Sequence, residues 1–547
     1  MSPLTRRQLL ALGAAGAGAT VVGGAGLWWT TTGGPGYTGG EDLAEPDVLA
    51  SRDRVLELEL TAAPARIQVG GREASVQAFN GSLPGPTLRV APGDTIRVAM
   101  TNEMEAPTNL HVHGLHVSPE GNCDNPFVSI DPGESFDYEF ALPADHPPGT
   151  YWYHPHRHGH VADQVAAGLY GAIVVEEPEP VPVTRERVMV VSDLTLDASG
   201  NLADVSPMQQ MMGREGEVVL VNGQVRPQLT AAPGERERWR IINACPSRYL
   251  RLQLDGQQVR LLSRDLGRLP IPEEITEAVI APGNRIELLV DTTAGSATLV
   301  AAPVNRGGMD AMMDEGMMGG TMMGDNEPGN DEPIELLALE VSGDPGETPT
   351  PVPEGPALRD LREEPITARH TLDFAMGMGG GMGGGGAMMG GGGGEEDTTM
   401  MAFTINGQEF DPDRVDTLVA AGTVEEWTLV NSSPMDHPVH LHVWPMQVVQ
   451  DGDRDLAEPR WQDVVNVPAF GEVKVLIAFE DFLGRTVYHC HILDHEDQGM
   501  MGTVEARRTY PLQFCPTTPP PGSDRGPAGR TCSSLWTTAH RPRRSCP

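Results

Sequence analysis

The stretch FNGSLPGPTLRVAPGDTIRVAMTN, from Phe79 to Asn102, contains an Asn-Gly turn, a short strand, a second glycine and another strand that closes on asparagine. Two later stretches repeat this template: VNGQVRPQLTAAPGERERWRIINA from Val221, and INGQEFDPDRVDTLVAAGTVEEWTLVN from Ile405. In every copy a glycine stands nine residues before the closing asparagine: Gly93, Gly234 and Gly422. Three copies of one template predict three homologous domains.

Short alternating strands bounded by Gly, Pro and Asn dominate these repeats, and few segments have helical periodicity. This pattern is typical of β-sandwiches and predicts an all-β chain. At 547 residues the chain also exceeds what a single hydrophobic core usually supports. We therefore expect three consecutive Greek-key β-sandwich domains at residues 41–180, 181–345 and 403–510, with a Met- and Gly-rich linker at 346–402.

The two ends of the chain differ in composition from the rest. Residues 1–40 contain TRRQLL, starting at Thr5, ahead of a mildly apolar Ala- and Gly-rich run, which is typical of a twin-arginine export signal. We expect export by the twin-arginine machinery, with cleavage between Gly26 and Gly40, or else a retained N-terminal anchor. Residues 511–547 are rich in Pro, Arg and Ser, which indicates a disordered tail or the translation of an altered reading frame.

The formal net charge of −38 is spread along the chain and argues against nucleic acid and anionic membranes as partners. The acidity either attracts cations or keeps the protein soluble. Of the six cysteines, Cys123 and Cys245 could pair in an oxidising compartment. We expect a monomer.

The segment HCHILDHEDQGMM, which begins at His489, carries two metal-ligand patterns. In an extended chain His489 and His491 share one face, and Cys490 points to the other. Cys490 with His495, Met500 and a further histidine would make the trigonal His2Cys set with a weak axial Met that is typical of blue copper. The histidine face would serve a second cluster, linked to the first only through the backbone and the Cys490 side chain.

The repeat register brings out four His-x-His pairs. One pair follows the closing asparagine of the first copy, and another that of the third copy, with its histidines nine and eleven residues past the asparagine. The other two pairs lie in the matching segments WYHPHRHG and VYHCHILD. The pairs are His111/His113, His154/His156, His440/His442 and His489/His491. The second copy has Leu252 and Leu254 at the first of these places, so its domain should carry no copper ligand. Pro155 stands where the third domain has Cys490, so only the third domain offers a thiolate.

Thirteen of the sixteen histidines fall into four short clusters, which random placement does not explain. We expect the eight paired histidines to converge from two domains on three copper ions, and His437 to complete the cysteine site. His116, His158 and His160 lie outside the shared register, so we expect them not to bind metal. Zinc competes for histidine clusters, but it does not explain a lone cysteine between histidines with a methionine beyond.

These motifs closely resemble those of the three-domain multicopper oxidases, the group of laccases, bilirubin oxidases and bacterial copper-efflux oxidases. The resemblance covers about residues 50–510 and rests on HVHG, WYHPHRHG, HPVHLH and HCHILDHEDQGMM. It implies cupredoxin-like domains and four copper ions. By this resemblance type 1 copper would be bound by His437, Cys490, His495 and Met500, type 2 by His111 and His440, and the type 3 pair by His113, His154, His156, His442, His489 and His491.

The resemblance also implies a reaction. A small-molecule reductant would give single electrons to type 1 copper, Cys490 would pass them to the three-copper cluster, and dioxygen would be reduced to water. Glu496 and Asp124 stand near places where relatives have proton-supplying carboxylates, although the loop before Asp124 is longer than in copper-efflux enzymes. The alternative for each acid is a solvated surface position. A weak axial methionine implies a moderate type 1 potential.

Two insertions, at 309–323 and 376–401, hold fourteen of the twenty-five methionines. Thioethers prefer cuprous copper, and similar inserts occur in copper-efflux oxidases, although low-complexity linker expansion would produce the same composition. Met435 matches a substrate-side methionine of those enzymes, whereas Ser433 stands where they have an acid. The expected donor is therefore Cu(I) or a phenolic or aromatic amine compound. The alternative function is non-catalytic copper sequestration, which the complete ligand set disfavours.

Overall fold

The computed structural model describes residues 37–307, 332–347, 349–378 and 401–508. The predicted export motif, nearly all of the two methionine-rich insertions and the predicted tail lie outside the described residues. Within the described ranges, we find no helix with the length and apolar character needed to span a membrane.

The first domain is a β-sandwich of nine strands with one short helix, Val161–Ala167. Its sheets have the orders β3-β2-β5-β7 and β1-β4-β9-β8-β6. The strands are β1 (Val48–Ala50), β2 (Val55–Val69), β3 (Arg72–Phe79), β4 (Thr87–Val90), β5 (Thr95–Asn102), β6 (His111–His113), β7 (Ser135–Ala141), β8 (Gly149–His154) and β9 (Gly171–Val175). Apolar side chains of both sheets form one buried core, which agrees with the alternating patterns of β2 and β5.

The described residues of the second domain form eleven strands and one short helix, Pro207–Met212. Its sheets have the orders β11-β10-β13-β18-β15-β16 and β12-β20-β19-β14-β17. The strands are β10 (Arg185–Leu194), β11 (Val218–Val221), β12 (Gln228–Ala231), β13 (Arg236–Asn243), β14 (Leu250–Leu254), β15 (Gln258–Arg264), β16 (Arg268–Glu274), β17 (Glu277–Ile280), β18 (Arg285–Asp291), β19 (Gly295–Ala302) and β20 (Ile334–Val341).

The part of the third domain that the structure describes also forms eleven strands, together with a 3-10 turn at Leu361–Glu363 and a short helix, Leu493–Asp497. Its sheets have the orders β22-β21-β24-β29-β26-β27 and β23-β31-β30-β25-β28. The strands are β21 (Ile366–Met378), β22 (Met401–Ile405), β23 (Thr417–Ala420), β24 (Thr423–Asn431), β25 (His437–Leu441), β26 (Met446–Asp451), β27 (Arg454–Gln462), β28 (Val464–Val467), β29 (Glu472–Phe479), β30 (Gly484–Cys490) and β31 (Met501–Arg507).

The second and third domains have the same strand order. The equivalent strands of the first domain follow this order in a four-stranded and a five-stranded sheet, and β1 is added at one edge of the latter. In this order β6, β14 and β25 are equivalent strands, and each pairs with an equivalent partner, β8, β19 or β30. The prediction of an all-β chain of consecutive β-sandwiches is therefore confirmed.

The closing asparagine of each repeat has a repeated structural role. The side-chain amides of Asn102, Asn243 and Asn431 each donate to two backbone carbonyls, at 2.8–3.2 Å. The three side chains are almost completely buried. Each asparagine thus joins the end of its strand to the loop that leads towards the strand β6, β14 or β25.

Strand β21 lies inside the range 346–402, which the sequence analysis assigns to a linker. It pairs with β24 in parallel and with β22 in antiparallel orientation, so this part of the range belongs to a sheet of the third domain. The methionine and glycine content of the range hides the polar and apolar alternation of ITARHTLDF, which starts at Ile366.

The suggested pairing of Cys123 with Cys245 is wrong, because both are free thiols. Cys123 is buried in the core of the first domain and Cys245 in the core of the second. Each thiol belongs to a separate apolar core, where it behaves as a small hydrophobic side chain.

Candidate metal centre

The His-x-His pairs of the first and third domains occupy matching places in their sheets. His111 on β6 lies opposite His154 on β8, and His440 on β25 lies opposite His489 on β30. The corresponding place in the second domain pairs Leu252 with Ala301. The same strand register therefore presents imidazoles in two domains and apolar side chains in the other.

The eight paired histidines meet between the first and third domains, and each is at most 2% exposed. The Nε2 atoms of His111 and His440 lie 3.4 Å apart. His156 Nε2 lies 3.2 Å from His442 Nε2 and 3.1 Å from His489 Nε2. The remaining members of the cluster, His113, His154 and His491, have ring centroids 5.0–5.8 Å from one another.

Backbone carbonyls set the tautomers of several of these rings. The Nδ1–H groups of His154, His440 and His489 donate to the carbonyls of Pro155, Asp463 and Cys490, at 2.8, 2.7 and 3.1 Å. This leaves the Nε2 lone pair of each ring free to face the cluster. Hydrogen bonding at one ring nitrogen is the usual way in which proteins orient a histidine ligand.

Several ring nitrogens in the cluster have no hydrogen-bond partner, and these include His113 Nδ1, His154 Nε2 and both nitrogens of His491. A buried polar atom without a partner costs free energy, so such atoms indicate a missing ligand. Burial lowers the pKa of all eight imidazoles, to about 4 for His156 and His489 and well below the ordinary value for the other six. Neutral imidazoles with free lone pairs fit metal cations.

The cysteine site lies in the core of the third domain. His437 Nδ1 is 3.3 Å and His495 Nδ1 is 3.8 Å from Cys490 Sγ. Met500 is fully buried in the same apolar cluster, and its carbonyl accepts the Cys490 N–H at 3.0 Å. Burial raises the pKa of the Cys490 thiol well above its usual range. A metal ion would supply the positive charge that a buried thiolate requires.

Both histidines of the cysteine site make a polar contact through Nε2, the ring nitrogen that does not face Cys490. His437 Nε2 lies 2.9 Å from Ser433 Oγ, and Ser433 in turn donates to the Phe374 carbonyl at 3.3 Å. His495 Nε2–H donates to the Met211 carbonyl at 3.0 Å. Met211 belongs to the second-domain helix Pro207–Met212, whose contact with the site no sequence motif indicates.

The two predicted carboxylates lie at the histidine cluster. Asp124 Oδ1 is 2.8 Å from His111 Nδ1 and also accepts the Val112 N–H. Glu496 lies 3.1 Å from His489 Nδ1 and 3.3 Å from His156 Nε2. Burial raises the pKa of Asp124 to about 8 and that of Glu496 to about 7. The geometry therefore places both acids against imidazoles rather than at the surface.

A third carboxylate, Asp463, was not predicted from the sequence. Its Oδ1 lies 3.2 Å from His113 Nε2, and its carbonyl holds His440. It immediately precedes β28, which pairs with the histidine-bearing β25. An acidic residue at the start of the buried strand VVNV is the signal that could have found it.

The three histidines outside the repeat register have other partners. His116 bonds the Val443 carbonyl and Asp481, His158 packs its ring against Phe410, and His160 precedes the helix Val161–Ala167. Among the described residues, none of the three belongs to a group of side chains whose donor atoms converge on a possible metal position.

Three regions of the chain match the multicopper oxidase family, at residues 61–180, 186–314 and 391–509. The multicopper oxidase MmcO of Mycobacterium tuberculosis is 29% identical over 86% of this chain and 91% of its own. The multicopper oxidase mco of Staphylococcus haemolyticus is 27% identical over 78% of this chain and 83% of its own. A solved multicopper oxidase from Campylobacter jejuni, described as a metallo-oxidase, has a TM-score of 0.72 and 29% identity, and the match covers 86% of this chain and 96% of that one.

The chain belongs to the multicopper oxidases. It is a copper-binding oxidoreductase of cupredoxin-like domains that couples one-electron oxidation of a reductant to four-electron reduction of dioxygen to water.

Proposed function

We propose that the chain binds four copper ions and acts as an exported cuprous oxidase. The observation that carries the proposal is the convergence of eight buried imidazoles from two domains beside a cysteine that lies between two of them. In this proposal His437, Cys490, His495 and Met500 hold type 1 copper, His111 and His440 type 2, and His113, His154, His156, His442, His489 and His491 the type 3 pair. Copper held in this way would accept single electrons from a donor and deliver four electrons to dioxygen.

The protein residues supply orientation, a short electron path and proton positions. Cys490 is covalently joined to His489 and His491, so the two sites are linked by a few bonds of one strand. Glu496 has two buried oxygens without hydrogen-bond partners beside His489 and His156, where it can hold a proton close to the cluster. Asp124 orients His111. Burial of the whole cluster excludes bulk water.

The anchors of both methionine-rich insertions support Cu(I) as the donor. Gly307, just before the first insertion, forms a backbone bridge with Met435, and Asp436 N–H donates to the Arg306 carbonyl at 2.8 Å. Met376 and Met401, at the two ends of the second insertion, are partly buried against the core that contains Cys490. The described ends of both insertions therefore contact the part of the third domain that contains Met435 and Cys490, and thioethers favour cuprous copper.

An aromatic donor is the second candidate. Phe470 is 67% exposed and adopts a left-handed backbone conformation with φ of 53°. Its N–H donates to the carbonyl of Ser433, the residue that contacts His437. A strained backbone that presents an exposed aromatic ring beside the cysteine site favours an aromatic substrate contact.

The twin-arginine motif at Thr5 supports export, and we propose an exported monomer. Size-exclusion chromatography with light scattering tests the monomer. Fusion of residues 1–40 to a reporter, with Arg6 and Arg7 both changed to lysine as the control, tests export.

The ligand set is tested by Cys490→Ser, with Cys245→Ser as a matched control at another buried free thiol. We expect Cys490→Ser to lose the intense thiolate–copper absorption and all oxygen consumption, because it removes the thiolate. Cys245→Ser should retain both. A Cys490→Ser protein that still turns over would refute the electron path.

The donor is tested by deletion of residues 379–395, or by replacement of the methionines in 309–323 with leucine. Leucine keeps the size and apolar character of methionine but removes its sulfur. We expect kcat/KM for Cu(I) to fall at least tenfold while kcat/KM for a bulky phenol is unchanged or higher. Equal changes for both donors would contradict a copper-recruiting role.

A further inference from the structure

Among the described residues, the second domain contributes none of the proposed ligands of the four copper ions, yet one of its side chains reaches a residue that contacts two of those ligands. Arg285 begins β18, and its Nη1 and Nη2 atoms donate to Asp463 Oδ1 and Oδ2, both at 2.5 Å. Both side chains are at most 3% exposed. A bidentate arginine–carboxylate pair of this kind fixes the orientation as well as the position of the carboxylate.

Asp463 passes this constraint to the histidine cluster. Its Oδ1 lies 3.2 Å from His113 Nε2, and its backbone carbonyl accepts the His440 Nδ1–H at 2.7 Å. The rings of His113 and His440 stack with centroids 3.8 Å apart and planes inclined by 9°. Because Asp463 engages Nε2 of His113, the unpartnered Nδ1 of that ring is the atom left for a metal.

Arg285 is itself held by all three domains. Its Nε donates to the carbonyl of Thr150 on β8, the strand that ends at His154, and its backbone N–H donates to Asp265 Oδ1. The side-chain amide of Asn284 joins Asp265 to the carbonyl of Val464. The guanidinium therefore donates to Thr150, Gly283 and Asp463 and has little freedom to move.

Two glycines show how closely the second domain approaches the cluster. A Cβ at Gly283 would lie 2.9 Å from His491 Nε2. A Cβ at Gly114, in HVHG, would collide with the Asp463 carboxylate and the Arg285 guanidinium. Both positions have positive φ, so side chains are disfavoured there for two reasons.

We propose that Arg285 is a positioning residue through which the second domain holds His113 and His440 in the geometry that binds copper. The inference rests on the proposed ligand assignment. It gives the second domain a part in building the cluster.

The test compares Arg285→Lys with Arg240→Lys. Arg240 is as deeply buried in the second domain, pairs with Glu287 and donates to Thr150 Oγ1, but within the described residues it contacts no candidate ligand. The readouts are copper content, the type 2 electron paramagnetic resonance signal, the thiolate–copper absorption and copper retention against a chelator. Thermal unfolding of the copper-free proteins measures any general loss of stability.

We expect Arg285→Lys to lose copper from the cluster about 10-fold to 100-fold more readily than wild type, with an altered type 2 signal and an unchanged thiolate–copper absorption. Arg240→Lys should match wild type in all copper readouts. A wild-type type 2 signal and copper retention in Arg285→Lys, or equal losses in both variants, would overturn the proposal. If Arg285→Lys does not fold, Asp463→Asn replaces it with the same expectations. A wild-type protein without thiolate–copper absorption would instead refute the proposed ligand assignment.

Discussion

At the scale of the residue, the protein uses hydrogen bonds to decide which nitrogen of each imidazole is available. Carbonyls of Pro155, Asp463 and Cys490 take one N–H each, and the opposite nitrogen then faces the cluster. These partners are mostly backbone atoms, so the sequence does not reveal them. The same is true of the Met211 carbonyl behind His495.

Glu496→Gln keeps the size of the side chain but removes a group that can hold and release a proton. We expect oxygen turnover to fall about 100-fold or more, because proton delivery near the cluster is lost. The anaerobic rate of type 1 reduction should not change. Asp494→Asn, at the neighbouring acid that pairs with Arg214, is the control and should leave turnover intact. Equal losses in both variants would assign the effect to the helix rather than to Glu496.

Phe470→Gly removes both an exposed aromatic ring and a backbone conformation that favours glycine. Relief of the left-handed strain should stabilise the loop by about 1 kcal/mol. We expect KM for an aromatic donor to rise, while KM for Cu(I) is unchanged. Phe470→Leu, which keeps an apolar side chain without the ring, separates loss of aromatic stacking from loss of apolar contact. An unchanged KM for the aromatic donor in both variants would exclude a substrate contact at this residue.

At the scale of the element, the fold repeats one unit three times and varies the residues on equivalent strands. Strands β6 and β25 carry histidines, whereas β14 carries leucines in the same register. The closing asparagines are the fixed part of the unit. Their side chains donate hydrogen bonds to buried carbonyls in all three domains. This includes the second domain, whose β14 carries no histidine.

Asn243→Ala tests this shared role in the second domain, where β14 carries leucines in place of the paired histidines. The change leaves two buried carbonyls, of Arg248 and Ile280, without their side-chain donor. We expect a loss of about 2 to 4 kcal/mol in the stability of the second domain, measured by urea unfolding of the copper-free protein. Gln258→Ala, at an exposed amide, should change stability by less than about 0.5 kcal/mol. If Asn243→Ala lost no more stability than Gln258→Ala, the hydrogen bonds of Asn243 would not be needed for the stability of the domain.

At the scale of the whole molecule, the first and third domains are joined by a titratable pair as well as by the histidine cluster. His116 of the first domain lies 2.5 Å from Asp481 of the third. Burial alone would lower the pKa of His116, but Asp481 outweighs it and the pKa is raised. Burial would raise the pKa of Asp481, and the bond to His116 instead lowers it.

These directions give a pH dependence of stability. Because the pKa of His116 is raised in the folded protein, the charged pair stabilises the fold fully below the ordinary histidine value of 6.5. This stabilisation is lost as pH rises through the raised value. Because the pKa of Asp481 is lowered in the folded protein, its carboxylate stabilises the fold above the ordinary aspartate value of 3.8. This stabilisation is lost as pH falls through the lowered value. We expect His116→Gln to lower the melting temperature most between about pH 4 and 6.5, and less at pH 8. A difference that does not depend on pH would contradict a role of the charged pair.

The sequence by itself determined the β-sandwich repeat and the histidine and cysteine candidates, because strand alternation and repeat register are local properties that residue types record. Only the tertiary structure decided how the pieces meet. It brought Arg285, Asp463 and Met211 to the candidate copper ligands across domain boundaries, placed β21 in a sheet and separated Cys123 from Cys245. These relations depend on side chains and carbonyls that are distant in sequence, and no local pattern encodes such distances.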